Sequence, residues 1–351
     1  MARYGQAAQS DRILPGYGGD LVAITAEVTL SPGDSVDLPT DALRNGLGEM
    51  VLLDGLSWVI DAQQEAESAD PPTSPVGMPG GGVSLSIRFG DKPITAGEVP
   101  IYCLGRADGQ DVEHAVLGVA DDTDTEFLLG AFASGIWQFD HFMEFDPGQS
   151  LSIHVTHLGL QNLPCVVSLA LTGRTGAELP RSRWLPYAAA WVPAALDPTV
   201  PTSVEPTVVT STERDLVNRV PGKLQISRFI GRLTRLGVVT TPIATDMALN
   251  EEQPFPRVQE IVAGNPETVW FPSALDSFLT LTMRDSRAND NVPVAPPFRQ
   301  VFEPESRAWE CPHALEANGY YIAELTLAVP GVTTDGSVQP AIAMIGSWEG
   351  A

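Results

Sequence analysis

The chain has 351 residues, 43% hydrophobic and 18% charged, and its 20 Lys and Arg face 44 Asp and Glu for a formal net charge of −24. Such a balance excludes a phosphate-neutralising nucleic-acid reader, and the 32 Gly and 30 Pro exclude a fold of long helices. No run of about 18 apolar residues offers a bilayer-spanning helix, and length alone sets a prior of roughly two domains.

In chain order, Met1–Asp20 reads as an extended, weakly ordered arm without the apolar region of a secretory signal. Val22–Leu30 alternates apolar with small or polar residues and stops at the turn sequence Ser31-Pro32-Gly33-Asp34. Thr40–Leu47 offers one or two helical turns. Met50–Ile60 and Cys165–Leu171 are more uniformly apolar, as expected of central strands covered on both faces. Gln63–Gly82, acidic and then Pro/Gly-rich, reads as a long surface loop. The stretches Val83–Phe89, Leu151–Thr156, Leu279–Arg284 and Tyr321–Leu327 alternate with a period of two, the mark of antiparallel strands with one buried face. Leu185–Pro206, dense in Ala, Pro and Trp, reads as a linker packed across both halves. Thr212–Val220 carries capping residues for a further short helix. Short strands, rich turns and little helix indicate sandwiches.

An internal repeat doubles the pattern. The pairs Trp137 and Trp309, His141 and His313, and Glu144 and Glu316 share one offset, close to half the chain length. Gly148 and Gly319, and Gly173 and Gly346, keep that offset to within one position. Each copy places a Trp in a strand, an acidic residue before a Gly-containing turn, then a strand, a loop and a final strand ending in Gly. This order is compatible with an eight-stranded jelly roll in each half. The expected fold is therefore all-β, two tandem jelly rolls with few short helices. The expected division is an arm at 1–20, a first roll at 21–180, a Pro/Trp-rich connector at 181–210 and a second roll at 211–351.

Candidate chemistry is sparse. His154 and His157 sit at metal-like spacing, but on an alternating strand they face opposite ways and read as strand-end histidines rather than ligands. His141 and Glu144, like His313 and Glu316, are expected to share a hydrogen bond that fixes the turn. Asp121, Asp122, Asp124 and Glu126 form a solvated acidic loop with carboxylates that a hard cation could use. Cys103, Cys165 and Cys311 are scattered and read as small buried side chains. No nucleophile elbow, phosphate loop or zinc-protease motif appears. The reading is of a non-enzyme with no cofactor, catalytic residue or metal site.

The strand set Met50-Val-Leu-Leu-Asp54, Ser86-Ile-Arg-Phe-Gly90, Val99-Pro100-Ile101, Trp137, Pro147-Gly148 and Leu169–Gly173 resembles that of virion structural proteins of bacterial viruses. Leu281–Asp285, Trp309, Leu315 and Tyr321–Leu325 extend it into the second half. The tandem layout resembles the double-jelly-roll major capsid proteins of the adenovirus-like lineage. That resemblance implies a homotrimer built into an icosahedral capsid lattice, with itself and other virion proteins as partners and, in many relatives, an internal membrane. It implies location in the virion after synthesis in the host cytoplasm, and no sequence-specific nucleic-acid binding. Exposed aromatics favour interfaces, so Tyr4, Tyr17, Trp184, Trp191 and Pro193, with the loop Pro71–Pro79, are the candidate intersubunit contacts. Two other readings remain: a decoration, cement or tail-associated protein, and a carbohydrate-binding sandwich using Trp58, Trp270 and Trp348 as platforms.

Overall fold

The computed structural model describes residues 20–67, 83–105, 115–117, 126–158, 164–175, 182–194, 196, 206–236, 258–262, 265–269, 279–287, 290–292, 295–302, 308–327 and 337–350. The arm Met1–Gly19, the loop Pro71–Pro79, residues 121–125 and Trp270 lie outside them.

The first half contributes β1 (Asp20–Leu30), β2 (Ser35–Asp37), β3 (Val51–Glu67), β4 (Val83–Phe89), β5 (Lys92–Pro93) and β6 (Val99–Pro100). It continues with β7 (Ala115–Leu117), β8 (Glu126–Phe145), β9 (Leu151–His157) and β10 (Cys165–Thr175). The second half contributes β11 (Trp184–Trp191), β12 (Thr207–Thr210), β13 (Leu216–Val217), β14 (Leu224–Leu236), β15 (Val258–Val262) and β16 (Asn265–Val269). It closes with β17 (Leu279–Asp285), β18 (Asp290–Val292), β19 (Ala308–Leu315), β20 (Tyr320–Leu327) and β21 (Ser337–Glu349).

In a jelly roll, eight strands lettered B to I in chain order form one sheet B-I-D-G and a facing sheet C-H-E-F. The first half follows this order: β1-β10-β3-β8, extended by β7, faces β2-β9-β4 with β5 and β6 beside β4. The second half repeats it: β11-β21-β14-β19 faces β12-β20-β17-β18, with β13 added to β20. All strand pairings within these sheets are antiparallel. The β15-β16 hairpin stands apart between the D and E strands of the second roll. The chain is thus all-β, with two jelly rolls in tandem.

Local chemistry explains the strand ends. After β1, Asp34 closes its turn by accepting from the Ser31 backbone N–H at 2.8 Å, while Gly33 supplies the left-handed conformation (φ 83°). The expected helices at Thr40–Leu47 and Thr212–Val220 are turns instead, the second running into β13. Their polar side chains bond nearby backbone groups, as Asp215 Oδ2 accepts from Thr212 N–H at 2.6 Å and Thr212 Oγ1 from Arg214 N–H at 3.3 Å, which competes with helix formation. The helical pieces described are a single 3₁₀ turn at Ile101–Cys103 and one α-turn at Phe298–Val301.

The two halves share finer details than the repeat in the sequence displays. Trp137 lies opposite Leu56 and Trp309 opposite Phe229, and these two partners keep the repeat offset to within one position. Each D strand carries a bulge, between Leu53 and Gly55 in β3 and between Ile226 and Arg228 in β14. Opposite each bulge stands a glycine of the I strand, Gly173 or Gly346. A Cβ there would run into the carbonyl oxygen of Leu52 or of Gln225, so the close approach of the strands requires glycine at both positions.

The C–D corner of each roll is pinned by a buried asparagine. Asn45 is 1% exposed; its Nδ2 donates to Phe145 O at 2.7 Å and Glu49 O at 3.0 Å, and its Oδ1 accepts from Leu47 N–H. Asn218, its counterpart in the second roll and 0% exposed, donates to Leu315 O, Glu316 O and Gly222 O at 2.9–3.0 Å and accepts from Val220 N–H. Each also bonds through its backbone to the G–H turn, where Gly148 (φ 83°) and Asn318 (φ 60°) adopt the left-handed conformation. The expected His–Glu hydrogen bond does not fix this turn. Among the bonds seen, Glu144 accepts from Ser182 N–H, His141 stacks on Trp184, and Glu316 pairs with Lys223 and Arg287.

Replacing either asparagine leaves buried carbonyls and an amide without partners. N45A and N218A are each expected to lower stability by about 2–4 kcal/mol, read from the urea midpoint. N218D, which turns a donor facing three carbonyls into a carboxylate, is expected to cost more than N218A. Equal midpoints for wild type and either alanine variant would contradict this role.

Candidate functional site

The most elaborate assembly of side chains among the described residues is the seam between the rolls. It begins with alternation that fails. Ala341, Ile342, Ala343, Met344 and Ile345 of β21 are all 0% exposed, as are Tyr187, Ala188 and Ala189 of β11. A strand buried on both faces reads as continuous apolar sequence. One face of this sheet packs on its own roll, and the other meets β8, β6 and the Ile101–Cys103 turn of the first roll.

The sequence pattern points to both-face burial elsewhere, and the structure corrects it. Cys165–Leu171 alternates buried and half-buried positions, and β3 alternates after Leu56. Likewise the expected connector 181–210 divides differently, because Trp184–Trp191 is the B strand of the second roll, paired along its length with β21. The expected loop 63–82 begins later too, since residues 63–67 continue β3 opposite β8.

Backbone and side chains then lock the seam. Ala96 N–H donates to Ala188 O at 2.8 Å and Ala188 N–H to Ile94 O at 2.9 Å, so β11 carries the hydrogen bonding of the second roll into the first. Arg228 of β14 reaches Asp140 of β8, Nη1 to Oδ1 at 3.3 Å, and donates from Nη2 to Gln138 O. The pair is 14% and 19% exposed, and Arg228 Nε and Asp140 Oδ2 have no hydrogen-bond partner. Its Coulomb gain in a low dielectric therefore stands against incomplete satisfaction. Arg232, 9% exposed, donates to Tyr102 O at 3.2 Å and Gly105 O at 3.3 Å, capping the end of the 3₁₀ turn across the seam. Burial pushes the Cys103 thiol beside it up to about 12, despite the opposing pull of the guanidinium. On the second roll's side, Tyr187 Oη donates to Val217 O at 2.7 Å and accepts from Arg219 N–H, and burial raises its pKa to about 12.

Of the candidate contact residues, Tyr4 and Tyr17 lie outside the described residues. Trp184 is half-buried, stacked on His141 with centroids 4.2 Å apart. Trp191 is 5% exposed and Pro193 is buried, so their apolar surface is used inside the chain. Trp58 and Trp348 are each 2% exposed and form no carbohydrate platform. His157 is 1% exposed rather than a solvated strand end, while His154 on the opposite face is half-buried. Cys311 is also only half-buried. Among the described residues, no three His, Cys, Asp or Glu side chains are grouped to hold a metal. Sequence reasoning misses the seam arginines; their signal is the break in alternation across Arg228-Phe-Ile-Gly-Arg232, which sets charge into an otherwise buried strand.

No family model matches the sequence, and no curated protein matches it. Solved structures similar in fold include a chain of Sulfolobus Turreted Icosahedral Virus, at 10% identity and TM-score 0.46, covering 94% of this chain and 91% of that one. The major capsid protein P2 of Bacteriophage PM2 is similar at 9% identity and TM-score 0.33, covering 92% and 98%. The mavirus major capsid protein is similar at 8% identity and TM-score 0.37, covering 98% and 92%.

Two outcomes test the seam. R228A, which leaves the Asp140 carboxylate uncompensated, is expected to destabilise by about 3 kcal/mol, while R228M/D140L recovers most of that loss. At about pH 8, native protein is expected to resist alkylation at Cys103 and Cys165, whose thiols burial pushes to about 12 and 11, and to react first at Cys311; mapping the labelled peptides checks this order.

Proposed function

We propose that this chain is a virion structural protein, a major capsid protein whose copies associate as trimers and build an icosahedral shell. The observation that supports this reading most is that both halves close into the same eight-strand roll and are joined along a shared sheet into one block. A shell is made by repeating one rigid block through symmetry, so that modest contacts add up once the surface closes. Three blocks of two similar rolls present six comparable units around a threefold axis, an outline that fills a hexagonal lattice. The net charge of −24 keeps free copies apart until complementary contacts meet.

For this function we divide the chain at residues 176–183, giving rolls at 20–175 and 184–349. The intersubunit contacts then fall to Tyr4, Tyr17 and the loop Pro71–Pro79, with Trp184 at the margin of the seam. Other virion proteins and a membrane beneath the shell are the further partners of this reading, and the host of a bacterial virus is the place of synthesis.

Light scattering on the purified chain is expected to report a trimer that grows into larger assemblies with concentration. In particles, imaging and mass spectrometry are expected to show this chain forming the lattice as the most abundant protein. A monomer at every concentration would count against the proposal, and a minor component seated on another protein's lattice would establish the decoration reading instead.

A further inference from the structure

The outer face of the first roll's β2-β9-β4 sheet carries a constellation that takes no part in the seam between the rolls. Ser35 and Asp37 are two residues apart on β2 and project from one face; His154 and Thr156 do the same on β9. The register sets Ser35 opposite Thr156 and Asp37 opposite His154. His154 Nε2 lies 2.6 Å from Ser35 Oγ, and its Nδ1 lies 2.8 Å from Asp37 Oδ1. A carboxylate only accepts, so Nδ1–H donates to Asp37, and Nε2 is left to accept the Ser35 hydroxyl proton. We propose that Ser35 is a nucleophile, activated by His154 and oriented through Asp37, that accepts an acyl group from small activated esters.

The neighbouring groups fit that role. Thr156 Oγ1, 3.1 Å from Ser35 Oγ, donates to Glu98 Oε1 at 3.0 Å, and Ser84 Oγ donates to Glu98 Oε2 at 3.1 Å. With the Thr156 proton held by Glu98, the Ser35 proton has His154 as its short-range acceptor. Leu38 N–H bonds Ile153 O and His157 N–H bonds Asp34 O, which makes Val36 and Val155 the hydrogen-bonded pair between them. Ser35 and Thr156 are then a non-hydrogen-bonded pair, and the Ser35 N–H points away from β9, off the side of β2 that has no partner among the described strands. That N–H is a donor beside the nucleophile, placed to receive the oxygen of an attacked carbonyl.

The step balances within these groups. Ser35 Oγ bonds to the ester carbonyl carbon as its proton passes to His154 Nε2, and Asp37 stabilises the imidazolium. The tetrahedral oxyanion is met by Ser35 N–H. Collapse breaks the carbon–oxygen bond to the leaving group, which takes the proton from His154 and departs as the alcohol, leaving acyl-Ser35. Water, deprotonated by His154, then attacks the acyl carbon; the bond to Ser35 Oγ breaks, Oγ takes the proton back from His154, and the acid departs. Ser35 stands exposed at a sheet edge, so selection falls on the leaving group rather than on substrate shape.

The full chain is incubated with p-nitrophenyl acetate and the acetylated peptides are mapped by mass spectrometry. Ser152, an exposed serine on the same sheet, serves as the internal reference. Ser35 is expected to acetylate at least about 100-fold faster than Ser152, the lower end of general-base contributions. H154Q is expected to bring Ser35 down to the Ser152 rate, D37N to slow it, and S35A to abolish the fast phase. Circular dichroism and urea midpoints confirm that these surface variants fold. Equal labelling of Ser35 and Ser152, or an unchanged Ser35 rate in H154Q, overturns the proposal. Because the assay reads the free chain, its failure leaves the shell-building reading untouched.

Discussion

Everything in this molecule is referred to one layer, the sheet β11-β21-β14, whose central strand is apolar on both faces. Water leaves both sides of Ala341–Ile345, once for the second roll's own core and once for the first roll. A sheet with one buried face can tilt on its support at modest cost. A sheet buried on both sides cannot, because any tilt re-exposes apolar area to one side or the other. The hydrogen bonds from Ala188 N–H to Ile94 O and from Ala96 N–H to Ala188 O add a backbone constraint, since they hold only in one register. The two rolls are thereby one mechanical unit, which is the property that the proposed shell requires of its repeating block.

Charged pins refine what burial sets. Arg228 and Arg232 project from the same strand into the seam, one toward a carboxylate and one toward the carbonyls that end a 3₁₀ turn. Neither adds apolar area. Each demands a partner at a fixed place, because an unpaired guanidinium in this setting carries a desolvation cost that nothing offsets. Orientation is therefore specified by polar groups on a surface whose stability comes from apolar ones.

Comparison of the halves separates what the two rolls share from what the seam alters. Asn45 and Asn218 hold the same corner, and Gly173 and Gly346 admit the same bulge, because no other side chain meets those demands. At the seam the correspondence ends. With the offset that relates Asn45 to Asn218, Arg228 and Arg232 match Gly55 and Val59, and Ala341–Ile345 matches Ser168–Thr172. That first-roll stretch of β10 alternates, with Ser168, Ala170 and Thr172 half-buried, and among the described strands its main contacts are β1 and β3 of its own roll. The rolls share a fold and differ where only one of them supplies the common wall.

The period of two in the sequence, the turn residues and the repeat at half the chain length were enough to determine an all-β chain of two similar rolls. They also determined that His154 and His157 face opposite ways, because alternation along a strand is a local property. Tertiary structure decided which apolar strands are covered twice, since Cys165–Leu171 and Ala341–Ile345 look alike until their neighbours are in place. It decided that Trp191 and Pro193 serve this chain's own interior, for an aromatic carries no mark of whether its partner is internal or another subunit. It also decided the meeting of Ser35 and Asp37 with His154, which lie far apart in sequence. Alternation tells which side of a strand is apolar, whereas register between distant strands is settled only when the sheets pair.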